Sequence, residues 1–195
     1  GDGTPENPYQ ISTPEELIML GNDSSLWDKC FILANDIDMS AYNDMQYNPI
    51  GNIDTPFTGV FDGNGYKISN LTYTMNEFIN FVGLFGFAEG ATLRNLGVEN
   101  VHLAGDVYVG GLAGYLSGSS ITNCYSIGSI GGYIAGGLVG VQVGGMISEC
   151  FSAGDVTSIT ANESYVGGLV GKQYSGEINN CYSRASIICD SQDWP

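Results

Sequence analysis

Apolar and polar positions alternate along most of this chain, in short runs that glycine and asparagine interrupt before a long strand can form. Phe31, Leu33, Ile37 and Met39 alternate with Ile32, Ala34, Asp36 and Asp38, the pattern of a strand with one buried face. Tyr9-Gln10-Ile11 predicts another short strand. Residues 41–56, rich in Asn, Asp, Pro and Gly, read as a loop, and Phe57–Phe61 reads as a strand running into the turn Asp62-Gly63-Asn64-Gly65. Helical spacing occurs once. Thr13-Pro14-Glu15-Glu16 places an N-cap, a proline at the first position and a glutamate three residues after the cap, and Leu17, Ile18 and Leu20, with Met19 as a candidate fourth member, then form a stripe. This short helix is expected to cap the open end of a β-stack.

The remainder repeats. Val109-Gly-Gly-Leu-Ala-Gly114 returns as Ala135-Gly-Gly-Leu-Val-Gly140 and Val166-Gly-Gly-Leu-Val-Gly171, with a weaker copy at Val82-Gly-Leu-Phe-Gly86. The steps are 27, 26 and 31 residues, a period that signals a solenoid whose coils bury their apolar faces by stacking. The second half of each unit aligns as Ile68-Ser-Asn-Leu71, Leu93-Arg-Asn-Leu96, Ile121-Thr-Asn-Cys124, Ile147-Ser-Glu-Cys150 and Ile178-Asn-Asn-Cys181. Apolar residues three apart both point inward only if the chain bends between them, at Asn70, Asn95, Asn123, Glu149 and Asn180. Leu84, Leu112, Leu138 and Leu169 form a further inner column. Longer excursions fall at Thr74–Phe81 and Asp155–Ser164, where solenoids often carry function. The expected fold is an all-β, parallel β-helix with a short N-terminal capping helix. Residues 1–56 form the cap and first strands, 57–188 the repeat body and 189–195 a tail.

Charge narrows the partners. The chain has 195 residues, 21 of them acidic and 5 basic, for a net charge of −16, a field that repels nucleic-acid backbones and anionic membranes. No apolar run approaches the ~20 residues that span a bilayer. Three of five cysteines, Cys124, Cys150 and Cys181, share one repeat position, which fits buried thiols better than disulfides or a zinc site. No leader precedes Gly1, so any signal peptide is expected to have been removed. Ser191–Pro195 offers no capping helix, so the polypeptide is expected to continue.

The Gly-Gly-Leu-(Val/Ala)-Gly core, followed by Ile-x-(Asn/Glu)-Cys-(Tyr/Phe)-Ser, resembles the GLUG repeat. The front of the chain, with Asn35-Asp36-Ile37-Asp38-Met39 and Phe57-Thr-Gly-Val-Phe-Asp-Gly-Asn-Gly65, resembles what precedes such repeats. The resemblance implies a right-handed β-helix in secreted or wall-attached bacterial proteins, including adhesins and the non-catalytic part of immunoglobulin-A-cleaving metallopeptidases. It implies no single activity.

Catalytic readings find little support. A zinc-peptidase signature needs two histidines and the chain has one, His102, read as a solvent-facing strand residue. No Gly-x-Ser-x-Gly elbow surrounds a serine. Lys29, Lys67, Lys172, Arg94 and Arg184 are too dispersed for a lyase centre. Asp36 and Asp38 share a strand face as solvated carboxylates, with calcium binding as the second reading and no other cofactor expected. The residues after the repeat cysteines, Tyr125, Phe151 and Tyr182, should form an outward column spaced about 4.8 Å apart, suited to a sugar or an apolar partner patch or simply to stabilising the coil. The expected function is a non-catalytic extracellular or surface-bound binding and adhesion module, its partner a host glycan or protein. A structural spacer and a carbohydrate-active enzyme are the alternatives.

Overall fold

In a computed structural model, which describes residues 1–42, 46–74, 80–159 and 164–189, the chain winds as a parallel β-solenoid. From Phe81 onward each coil passes through the same four directions. In the coil after Asp106 these are the strands Tyr108–Gly110, Ala113–Ser117, Ser120–Thr122 and Tyr125–Gly132. Every ladder between successive coils is parallel, as in Tyr108↔Ile134, Ala113↔Val139, Ile121↔Ile147 and Tyr125↔Phe151. The ladders make sheets of nine, seven and four strands. The nine-stranded sheet covers two directions because Val139–Ser148 and Val170–Asn179 run unbroken through a corner. Gly144 and Gly145 take that corner with positive φ, where the two preceding coils break at Gly90 and Gly118.

The remaining corners follow the sequence closely. Asn70, Asn95, Asn123, Glu149 and Asn180 all adopt φ between 53° and 60°, the left-handed geometry that lets apolar residues on both sides of a bend face inward. Inside, Leu84, Leu112 and Leu138 are fully buried, while Leu169 is partly buried in the last described coil. Cys124 and Cys150 are buried, Cys181 is half-buried, and all five cysteines are free thiols.

One alignment is corrected. Ile68 does not share a column with Leu93. It pairs with Ile37 and Val98, whereas Leu93 pairs with Phe61. The turn at Asp62–Gly65 already takes the corner that Asn95 takes one coil later, and Ile68-Ser-Asn copies the same short pattern at the next bend.

Helix α1 (Pro14–Asn22) starts with the expected capping box, in which Glu16 N–H donates to Thr13 Oγ1 and Thr13 N–H to Glu16 Oε2. Leu17 and Leu20 enter the common core while Met19 stays exposed. A 3₁₀ turn at Ser24–Leu26 follows and carries Trp27, whose indole N–H donates to Leu20 O. The stretch read as a loop at 41–56 carries more structure than its composition suggests. Tyr47 and Ile50 within it, and Phe57 immediately after it, are fully buried, and Tyr47 donates its hydroxyl to Leu84 O. Ile50 and Phe57 each form a parallel bridge to the strand Phe85–Glu89, so this segment lies as a further layer on the ladder. Three apolar anchors scattered among polar residues leave no period to detect. The excursions at 74–81 and 155–164 lie partly outside the described residues, as does all of the tail except Cys189.

Candidate functional site

The outer aromatic column forms as the repeat spacing requires. Phe151 pairs with Tyr125 on one side and Tyr182 on the other. Their rings stack at 4.8 Å and 5.2 Å between centroids, tilted by only 6° and 5°. Successive coils lie about 4.8 Å apart, so parallel in-register aromatics stack without leaving their strands. The column begins where a glycine permits it. The Tyr125 ring leans over Gly97, and any Cβ at Gly97 would collide with it. Tyr125 Oη donates to Glu99 Oε1 at 2.6 Å, and Lys67 Nζ reaches Glu99 Oε2 at 2.8 Å. These partners, Lys67 first and then Tyr125, hold the Glu99 carboxyl below its ordinary pKa. Partial burial and then Glu99 push the Tyr125 phenol above its own. At the other end Tyr182 is 50% exposed and carries the Arg184 guanidinium 5.5 Å from its ring centre.

A second aromatic group forms where the Gly-Gly-Leu-x-Gly turn folds the chain back on itself. This corner is concave towards solvent. Gly110 faces Ala113 O and Gly140 N, while Gly114 faces Gly86 O and Tyr108 O, at distances no Cβ would tolerate. Side chains flanking the motif therefore meet over its glycines. Phe81 stacks on Tyr108 at 5.2 Å, Phe87 stacks on Tyr115 at 4.7 Å, and Tyr108 meets Tyr115 edge-on at 5.6 Å. One coil on, Ile134 and Val141 hold these positions and are buried. In the last described coil Tyr165 and Lys172 hold them, with the ammonium 4.0 Å from the Tyr165 ring centre and 4.8 Å from that of Tyr174. Sequence reasoning missed this seam. Aligning the residues just outside each motif copy gives Phe81, Tyr108, Ile134 and Tyr165 before it, and Phe87, Tyr115, Val141 and Lys172 after it. Only knowledge that the turn is concave shows that the two columns touch.

The acidic candidates have defined neighbours. Asp36 Oδ1 accepts from Lys67 N at 3.0 Å. Asp38 Oδ1 accepts from Ser40 N at 2.9 Å and Asn70 Nδ2 at 2.6 Å, and Asn100 Nδ2 in turn donates to Asn70 Oδ1 at 2.5 Å. A parallel ladder runs from Asn123 to Asn95 and on to Asp62, each step 3.0 Å. An aspartate thus terminates each asparagine ladder on its N-terminal side. The Asn70 amide is the main cause of the lowered Asp38 pKa. These bonds give both carboxylates an ordinary structural task. Among the described residues, no three His, Cys, Asp or Glu side chains gather as metal ligands. His102 sits half-buried in Gly97–Ala104. The basic residues stand apart, with Lys29 on Asp28, Lys67 on Glu99 and Arg94 on Asp62.

Comparison with known proteins agrees with this architecture. Residues 105–131, 131–157 and 162–188 each match the GLUG motif. Halomucin of Haloquadratum walsbyi is 35% identical over 142 residues, which are 68% of this chain and 2% of halomucin. A protein of Evansella cellulosilytica provisionally named a glycine-rich membrane protein is 36% identical over 107 residues, 53% of this chain and 12% of that protein. The chain therefore spans a small fraction of the curated relatives it matches. A crystal structure from Bacteroides ovatus, of a protein provisionally named an immunoglobulin A1 protease, superposes with a TM-score of 0.61 at 23% identity, over 96% of this chain and 79% of that one. At that identity the likeness speaks to the fold. The three matched stretches coincide with the coils that carry both halves of the motif, and the chain is a parallel β-solenoid that carries three GLUG motifs.

Proposed function

We propose that this solenoid is a non-catalytic binding and adhesion module within a longer extracellular or cell-surface polypeptide, with a host glycan or protein as its partner. The observation that carries the reading is the outer ladder of Tyr125, Phe151 and Tyr182, three near-parallel rings whose exposure culminates in Tyr182 at 50%. Flat aromatic faces in a row suit sugar rings and apolar protein patches alike. The short span of this chain within halomucin and the Evansella protein supports a module's role. The net charge of −16 speaks against polyanionic partners.

The spacer reading is favoured by one specific observation. Stacking at 4.8 Å with rings 6° apart also stabilises the coil, so the ladder has a use without any ligand. Titrating the chain over immobilised mucin glycoprotein and extracellular-matrix proteins separates the readings. Saturable binding is expected of the module, whereas no binding to any of these surfaces favours the spacer. Release of oligosaccharide from the mucin would instead revive an enzymatic role.

A further inference from the structure

One feature that the aromatic ladder leaves unused is an open cleft of about 450 Å³ beside helix α1. Its walls come from four stretches of chain: the end of α1, Trp27 after the 3₁₀ turn, the segment that lies as a further layer on the ladder, and the entry to Phe81–Val82. The size falls within the ~300–1,000 Å³ of small-ligand sites. The lining is chemically uniform. Asn22, Asn48, Asn52 and Asn80 supply carboxamides, Phe81 and Ile53 supply apolar surface, and no lining residue carries a formal charge. This stands out in a chain whose net charge is −16.

Part of the amide capacity is used internally. Asn48 Nδ2 donates to Asn22 Oδ1 at 2.5 Å, Asn22 Nδ2 donates to Ile18 O at 2.9 Å, and Asn52 Oδ1 accepts from the backbone N–H groups of Asp54 and Thr55. Those bonds fix the side chains in place. Asn48 Oδ1, Asn52 Nδ2 and the Asn80 amide have no hydrogen-bond partner among the described residues, and their residues line the cleft, so they offer it an acceptor, a donor and one of each. Phe81 is half-buried and held by its stack on Tyr108, so it offers a rigid ring at the point where the cleft meets the concave corner.

We propose that this cleft binds an uncharged, hydroxyl-rich ligand, a segment of neutral glycan. Neutral amides that donate and accept match hydroxyls, which also do both, whereas an acidic sugar would want lysine or arginine and a cation would want carboxylates. The ring and Ile53 suit the apolar C–H face that a sugar ring presents. The assignment rests on the binding-module reading but places a ligand on a different surface from the ladder.

The test uses the chain with isotope-labelled side-chain amides, titrated with maltohexaose, cellohexaose, mannohexaose and chitohexaose. At least one sugar should shift the Asn48, Asn52 and Asn80 side-chain resonances, and Asn80→Ala or Asn48→Ala should weaken that binding about tenfold, the effect of one lost hydrogen bond of ~1.4 kcal/mol. Melting curves check that these exposed substitutions leave the fold intact. Tyr182→Ala should leave the shifts unchanged. No shift with any of the four sugars overturns the assignment, as does binding that survives both asparagine substitutions. A sugar whose binding is lost in Tyr182→Ala alone would overturn the cleft while leaving the binding-module reading standing.

Discussion

Gly137 and Ser152 show why the two halves of the repeat travel together. Ser152 points inward beneath the second glycine of the Gly-Gly pair, where a Cβ on Gly137 would meet its side chain at 2.9 Å and the Gly168 carbonyl closer still. Gly111 faces Ser126 and Gly168 faces Ser183 in the same way. Ser152 Oγ also donates to Gly168 O at 2.6 Å, tying one coil to the next. In the weaker copy, Val82-Gly-Leu-Phe-Gly86, the second glycine is missing, and Val98 takes the serine's place in the ladder. Gly137→Ala should therefore cost about 2–3 kcal/mol, as overpacking against rigid backbone does. Denaturant unfolding checks this. A cost below ~0.5 kcal/mol would show that the glycine is not needed for contact. Cys150 obeys a similar geometry, its sulfur accepting from Cys124 N–H at 3.4 Å. A hydrogen bond with Cys124 lowers the Cys150 thiol pKa, while burial raises that of Cys124.

At the scale of the elements, the bends and the asparagine ladders are one device. Asn95 combines a left-handed φ of 53° with an amide that links Asn123 to Asp62. Asn95→Gly keeps the backbone comfortable and loses the ladder, whereas Asn95→Ala loses both. The alanine variant should be less stable than the glycine variant by about 1 kcal/mol, the cost of placing a Cβ in that region. Equal stabilities would mean that the left-handed bend does not penalise a Cβ at this position. Much of this was legible beforehand. The five bends, the inner leucine column, the capping box and the outer ring column all follow from period and residue type. What stayed hidden depended on three-dimensional curvature. Phe81, Phe87, Tyr108 and Tyr115 meet only because the glycine corner is concave, and Tyr47, Ile50 and Phe57 are anchors whose spacing follows no regular element. The asparagine cleft needed both facts, since it lies between that irregular segment and Phe81.

For the whole molecule, electrostatics sets two expectations. A net charge of −16 on one small solenoid is self-repelling, so sodium chloride should raise the melting temperature as it shortens the screening length. A gain of about 1 kcal/mol corresponds to roughly 2–4 °C at this size. No rise would show that the repulsion is already relieved by geometry. Acid acts in the opposite sense once repulsion is screened. Glu99, Asp38 and Asp62 all have carboxyl pKa values lowered in the folded state, by Lys67 and Tyr125, by Asn70, and by Asn95 and Arg94 against the opposing effect of burial. Their contribution is present above the unfolded carboxylate pKa of ~4 and is lost as pH falls through the lower folded values. Melting temperatures in high salt should therefore hold steady from neutral pH to about 5 and drop below ~4.

The central claim is that the outer ladder serves recognition as well as the coil, and Tyr182 is where the two roles separate. It is half exposed, stacks on Phe151 on one side only, and ends the described column. The decisive measurement compares Tyr182→Ala with the parent chain for both melting temperature and affinity for whichever mucin or matrix surface the parent binds. The account predicts a melting temperature within a few degrees of the parent and affinity weakened about tenfold or more, the effect of removing an exposed ring worth ~1.4 kcal/mol or more at a contact. A clear loss of stability with binding unchanged would contradict it.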